Sequence, residues 1–200
     1  MPYSKLKGLM ADGKSFRYVQ VDAEGRIVIA PESSITVKKI RVRKQLEANG
    51  SAHAAGDVLS ESDSDGVGTA WTFHDVVRVP GGAGRIVQVT ADTQVESQDY
   101  IIGLQVYTKY PTSELDDNAA AASPNPADGP FMVDEITLPA LHSRGDNSYA
   151  VSTPSTTGNL PLLFICEPGK RELYLIAIAV TATTHTATEW LDITLYIEQF

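Results

Sequence analysis

The apolar residues of this chain recur with a period of two, in short runs. In WLDITLYIE, Leu191, Ile193, Leu195 and Ile197 alternate with Trp190, Asp192, Thr194, Tyr196 and Glu198. Successive side chains of a strand point to opposite faces, so this run predicts a strand with one face on a core and one in water. Ile102, Leu104 and Val106 repeat the pattern, with Gln105, Tyr107 and Gly103 on the other face. ELYLIAIAV is apolar at both parities, which predicts a central strand covered on both sides. Helical spacing of apolar residues is nowhere sustained for three turns.

Strands are expected over 16–21, 26–30, 35–43, 71–79, 85–91, 100–108, 132–138, 161–166, 172–181 and 190–198. Pro31, Pro80, Pro111, Pro139 and Pro168 fall at the ends of these runs, where a missing ladder donor costs nothing. The pattern predicts an all-β fold: an antiparallel two-sheet β-sandwich, jelly-roll-like, with an N-terminal β-hairpin arm. The arm is FRYVQVDAEGRIVIA, read as strand, tight turn, strand. PGGAGR, residues 80–85, reads as a hairpin loop between VVRV and RIVQV. Two segments read as loops, 45–70 with a short strand over 57–60, and 111–130, where Pro124 and Pro126 end an Ala run after one helical turn. Loops of that length in a compact domain are usually functional or interface-forming.

Composition adds a charge division. Residues 1–44 carry ten basic and four acidic side chains; the remaining 156 carry six basic and 21 acidic. A basic N-terminal arm, 1–44, on an acidic sandwich body, 45–200, predicts that the two face different partners. No stretch approaches the ~18 continuous apolar residues of a membrane span. MPYSKLKGLMADGK has no apolar signal-peptide core, so Sec export is not expected.

Candidate chemistry is thin along the chain. Glu61, Asp63, Asp65 and Gly66 match the first positions of an EF-hand-like calcium loop, but position 12 is Thr72 and no helices flank it, so a solvated acidic turn is expected. His53, His74, His142 and His185 lie far apart, without a second ligand at metal spacing, and read as surface histidines. The single cysteine, Cys166 in LPLLFICE, reads as a small buried hydrophobe. Arg144-Gly145-Asp146 sits in good turn sequence, HSRGDNS. The basic run ITVKKIRVRK has no stacking aromatics interleaved along it, which argues against nucleic acid and for a protein partner. No catalytic residue, metal or cofactor is expected.

Taken in order, the motifs carry a resemblance. VQVDAEGRIVIA resembles the strand, Asp-x-x-Gly-basic, strand leader found near the start of many tailed-phage virion proteins. AAGDVLSE, VVRVPGGAGRIVQVTAD, IIGLQVYTKYPTSELDDNAAAA, FMVDEITLPAL and LYLIAIAVTATT with LDITLYIEQ resemble, in that order, the head-decoration (capsid cement) and minor virion proteins. The resemblance spans about residues 16–198 and departs from the group in the acidic insertion around Asp63 and in the RGD turn. It implies a structural virion role and no catalysis. The expected protein decorates and stabilises a bacteriophage capsid, at the capsid surface after synthesis in the host cytoplasm. Its expected partners are the major capsid protein and itself, as a trimer, with no nucleic acid and no membrane. Phe16, Tyr18, Ile27 and Ile29 of the hairpin, with Lys38, Lys39, Arg41 and Arg43, are the expected partner-binding residues. Two other readings are a tail, head–tail connector or fibre-base protein, and a carbohydrate-binding jelly-roll module with Trp71 or Trp190 as stacking platform.

Overall fold

A computed structural model describes residues 5–9, 16–21, 27–28, 36–47, 52–120, 124–154, 159–185 and 188–200, with side chains described from residue 36 onward. The chain forms two compact units, Met1–Ser34 and Ile35–Phe200. The first holds β1 (Lys5–Leu9), β2 (Phe16–Val21) and β3 (Ile27–Val28), paired antiparallel in that order. Of the expected 16–30 hairpin, β2 and β3 are paired at Gln20↔Val28 and Val21↔Ile27, while residues 22–26 and 29–30 lie outside the described residues. β1 is an addition, from a KLKGL run that offers only two apolar positions to a pattern search.

The second unit begins with β4 (Thr36–Gln45), β5 (Ala52–His53), β6 (Trp71–Phe73), β7 (Ala83–Thr93) and β8 (Ile102–Tyr107). It continues with β9 (Met132–Thr137), β10 (His142–Arg144), β11 (Asn147–Ser152) and β12 (Leu162–Ile165). It ends with β13 (Leu173–Ala179), β14 (Thr183–Thr184) and β15 (Trp190–Gln199). Among the described residues the one helical element is a 3-10 turn at Gly129–Phe131. One sheet runs β10-β11-β7-β15-β4, with β12 also pairing β7; the other runs β6-β13-β8-β9. All these pairings are antiparallel. The chain crosses between the sheets so that β4, β15, β7 and β11 face β6, β13, β8 and β9, the eight-strand ordering of a jelly roll.

The core lies between the sheets. Ile86, Val89, Leu191, Ile193, Leu195 and Ile197 from one sheet meet Phe73, Ile102, Leu104, Val106, Leu173 and Leu175 from the other, all buried. The alternation in β15 therefore points as its sequence predicts. β13 is apolar on both faces because a second cluster, Val58, Tyr107, Ile176 and Ile178 with Leu115 and Met132, covers its outer side. Two of those cover residues come from the long loops. The expected short strand at 57–60 is real in outline: Val58 bridges Ile178, and Leu59 N–H donates to Ala177 C=O.

Three expectations change. The run 71–79 is strand only over Trp71–Phe73, and 80–85 is not a hairpin loop, because β6 and β7 belong to opposite sheets and the segment between them crosses the sandwich edge. β10 and β11 lie in a region read as turn alone. β11 turns Ser148, Ala150 and Ser152 inward, so its buried face carries no large apolar residue, and Ser148 Oγ donates to Val95 C=O at 2.8 Å. The two compact units meet between Ser34 and Ile35. β4 pairs with β15 over ten residues, from Thr36↔Gln199 to Gln45↔Trp190, which makes the basic run part of the sandwich.

Candidate functional site

The side chains of the β15 sheet that point away from the core form one continuous outer face. β4 gives it Val37, Lys39, Arg41, Arg43 and Gln45, while Ile40 and Val42 turn inward onto the core. Register places Trp190, Asp192, Thr194, Tyr196 and Glu198 of β15 beside them, and Arg85, Thr90 and Asp92 of β7 beyond. β12 adds Leu163 opposite Arg85, and Ile165 opposite Ala83. Phe200 N–H donates to Ala83 C=O, which sets the C-terminal residue in the same corner. Leu163 and Ile165 are 58% and 65% exposed, and Val37 and Phe200 are also exposed. One corner of the face thus gathers four exposed apolar side chains around the Arg85–Glu198 ion pair, in which Arg85 Nε donates to Glu198 at 2.9 Å.

The rest of the face is polar and tightly paired. Asp192, nearly buried, accepts from Arg41 Nε at 2.7 Å and Nη2 at 2.5 Å, and from Arg43 Nη2 at 2.7 Å. Burial pushes the Asp192 carboxyl pKa up, but hydrogen bonds from Arg43 and Arg41 outweigh it and hold the group below the ordinary carboxylate value. Lys39 Nζ lies 5.7 Å from the Tyr196 ring centre, and the Arg43 guanidinium 5.6 Å from that of Trp190. Aromatics absent from the basic run along the chain are therefore supplied by the neighbouring strand. Lys38 points to the other side and donates to Asp75 C=O at 3.0 Å. Of the hairpin residues, Phe16 and Tyr18 lie on β2 and Ile27 on β3, while Ile29 is outside the described residues. Arg41 and Arg43 keep about half their side-chain surface exposed while bound to Asp192.

The acidic loops are organised by three buried carboxylates. Asp116 accepts the backbone N–H groups of Gly66, Val67 and Gly68, Asp128 accepts those of Thr112 and Ser113, and Asp117 Oδ1 accepts that of Ser60. Asp63 and Asp65 are exposed, but Glu61 is not the solvated residue expected: it accepts from Lys44 Nζ at 2.6 Å and from Ser60 Oγ at 2.8 Å. Arg144-Gly145-Asp146 forms the exposed β10–β11 turn, with Gly145 at φ +72°, as its sequence predicts. Cys166 is buried, and burial pushes its thiol up to about 11. Trp71 is buried in the core and is no stacking platform.

Two of the four histidines overturn the surface reading. His74 and His142 are exposed, but His53 and His185 are buried side by side, with ring centres 4.8 Å apart. Between them lies Asp117, whose Oδ2 is 3.0 Å from His53 Nε2 and 3.6 Å from His185 Nε2. Burial acts to raise the Asp117 pKa, yet hydrogen bonding to both imidazoles and to Ser60 holds it down at about 2. No spacing rule could reveal this cluster, since its members stand about 65 residues apart.

No protein-family model matches the chain, and no curated protein matches its sequence. Solved structures do. A chain of tomato aspermy virus is similar over 82% of this chain and 78% of its own, at 9% identity and a TM-score of 0.32. A chain of the cyanophage Pam1 capsid asymmetric unit is similar over 88% and 95%, at 15% identity and a TM-score of 0.30. A chain of deformed wing virus, a honeybee pathogen, is similar over 96% of this chain and 56% of its own, at 11% identity and a TM-score of 0.31. All three come from viruses. At these identities and scores, no residue role passes from them to this chain.

Proposed function

We propose that this chain is a non-enzymatic structural protein of a tailed-phage virion, which decorates and stabilises the capsid by binding the lattice of the major capsid protein. The carrying observation is the outer face of the β15 sheet, where Leu163, Ile165, Val37 and Phe200 stand exposed in one corner. Large apolar side chains left exposed together, here around one ion pair, are characteristic of a protein-binding surface. The jelly roll alone decides nothing, since it serves capsids and lectins alike.

The division of labour follows from the chemistry of the face. Exposed ion pairs are individually worth only ~0–1 kcal/mol. Lys39, Arg41 and Arg43 therefore steer and set register, while the apolar corner supplies most of the affinity. β4 is the terminal strand of its sheet, so its outer edge suits strand addition by a partner chain. The N-terminal unit, with Phe16, Tyr18, Ile27 and Ile29 among its apolar residues, is a second attachment element. Copies associate as trimers, so that modest contacts sum by avidity.

The test is a mass-spectrometric count of this chain against the major capsid protein in purified particles. Decoration requires a count near that of the shell protein. A count of about a dozen or fewer assigns the chain to the tail or connector, because only those positions occur so few times per particle. Leu163→Asp with Ile165→Asp should empty particles of the protein while its melting curve is retained. Full occupancy by that variant would exclude the corner as the contact.

A further inference from the structure

Three residues of metal-ligating type, His53, Asp117 and His185, converge from three segments that are distant in sequence. His53 ends β5, Asp117 lies in the long loop after β8, and His185 follows β14. All three side chains are fully buried. One ligand atom from each falls in a group no wider than 4.8 Å. We propose that this cluster binds one divalent transition ion of the zinc class, as a structural staple of the loop end of the sandwich.

The geometry bears on it in three ways. Zinc bonds of ~2.0–2.2 Å at tetrahedral angles set ligand atoms ~3.3 Å apart. The carboxylate-to-imidazole distances of 3.0 and 3.6 Å bracket that value. The three atoms lie within 4.8 Å of one another, so the widest pair must close by roughly 1–1.5 Å to reach tetrahedral spacing around one ion. The second carboxylate oxygen of Asp117 is fixed by the Ser60 N–H at 2.8 Å, the outer hydrogen bond that orients a ligand.

The need is as plain as the fit. β5 and β14 pair over only two residues, Thr183↔His53 and Thr184↔Ala52. A ladder so short is marginal by itself. An ion bound at His53, Asp117 and His185 would tie that ladder to the 111–130 loop, and a water would take the fourth position. All three side chains are fully buried, which keeps substrate from the ion, so its role is structural rather than catalytic.

The experiment uses the full chain, dialysed against EDTA and titrated with zinc chloride by calorimetry and thermal shift. We expect one zinc per chain, and a Tm rise of roughly 5–10 °C at a hundred-fold excess over Kd. Cobalt should give the visible absorption of a tetrahedral site, discharged by zinc. His53→Asn, His185→Asn or Asp117→Asn should each weaken zinc binding at least about a hundred-fold, the upper range for loss of an outer-shell partner alone. His74→Ala with His142→Ala, at the exposed histidines, should leave it unchanged. Should a buried variant fail to fold, the wild-type stoichiometry and cobalt spectrum decide alone. Absence of saturable one-to-one binding overturns the site, as does binding that survives in a folded cluster variant or is lost in the surface variant.

Discussion

Lys44→Met tests how the interior of the loop end is held. Lys44 lies at the inner end of β4, its side chain 11% exposed, and its ammonium bonds Glu61 at 2.6 Å and Thr69 Oγ1 at 2.9 Å. The ammonium is also 5.3 Å from the centre of the Trp71 ring. Burial lowers the Lys44 pKa, and Glu61 offsets this only in part. For Glu61 burial acts upward, but donors from Lys44, Thr69 and Ser60 outweigh it and the pKa falls. A symmetrical ion pair would move its partners in opposite directions. Both fall here because Lys44 is the more deeply buried, while Glu61 collects three donors. Removing one partner of a fully buried pair costs about 3–5 kcal/mol. Glu61 is 31% exposed, so water and two hydroxyls recover part of that, and screening reduces it further. Methionine keeps the stem packing, so the expected loss is about 1.5–2.5 kcal/mol, read by urea unfolding at neutral pH. That corresponds to a Tm drop of roughly 3–10 °C for a chain of this size. Adding Glu61→Gln removes the stranded charge, so the double variant should be more stable than Lys44→Met alone. The pH dependence has a definite sign. With its folded pKa below the unfolded value, Glu61 contributes stability above the ordinary carboxylate range and loses it as pH falls through the folded value. The Lys44→Met deficit should therefore shrink between pH 7 and pH 3. A neutral or stabilising single variant, or a double variant less stable than the single, would refute the reasoning.

Other outcomes follow from single positions. A Cβ at Gly68 would lie 2.1 Å from the Leu115 carbonyl oxygen, backbone that cannot give way, so Gly68→Ala should cost about 3 kcal/mol or more in denaturant unfolding. Cys166 should react with a maleimide about a hundred-fold more slowly in the native than in the unfolded chain at pH 8, because burial raises its thiol pKa to about 11 and blocks approach. Leu104→Ala, at the centre of the inter-sheet core, should destabilise by about 3–5 kcal/mol with no change in the strand-dominated circular dichroism spectrum.

The strands that carry large apolar residues on a buried face were legible in the sequence, because a period of two admits little else. β15, β13 and β8 appear where alternation or a continuous apolar run places them. β11 was silent because serine and alanine fill its core positions, and β6 was overextended because Val76 and Val77 are buried without strand pairing. The sandwich and the buried Cys166 are local consequences of composition. The pairing of Arg41 and Arg43 with Asp192 is not, since about 150 residues separate the partners and only the β4–β15 register joins them. The same holds for the exposed corner, where Val37, Leu163, Ile165 and Phe200 come from two strands, β4 and β12, and the C-terminal residue. It holds most strongly for His53, Asp117 and His185. Each is an unremarkable polar residue in its own segment. What makes them a cluster is the crossing of the chain between sheets, which brings three loops to one end of the sandwich and buries their ligating atoms together.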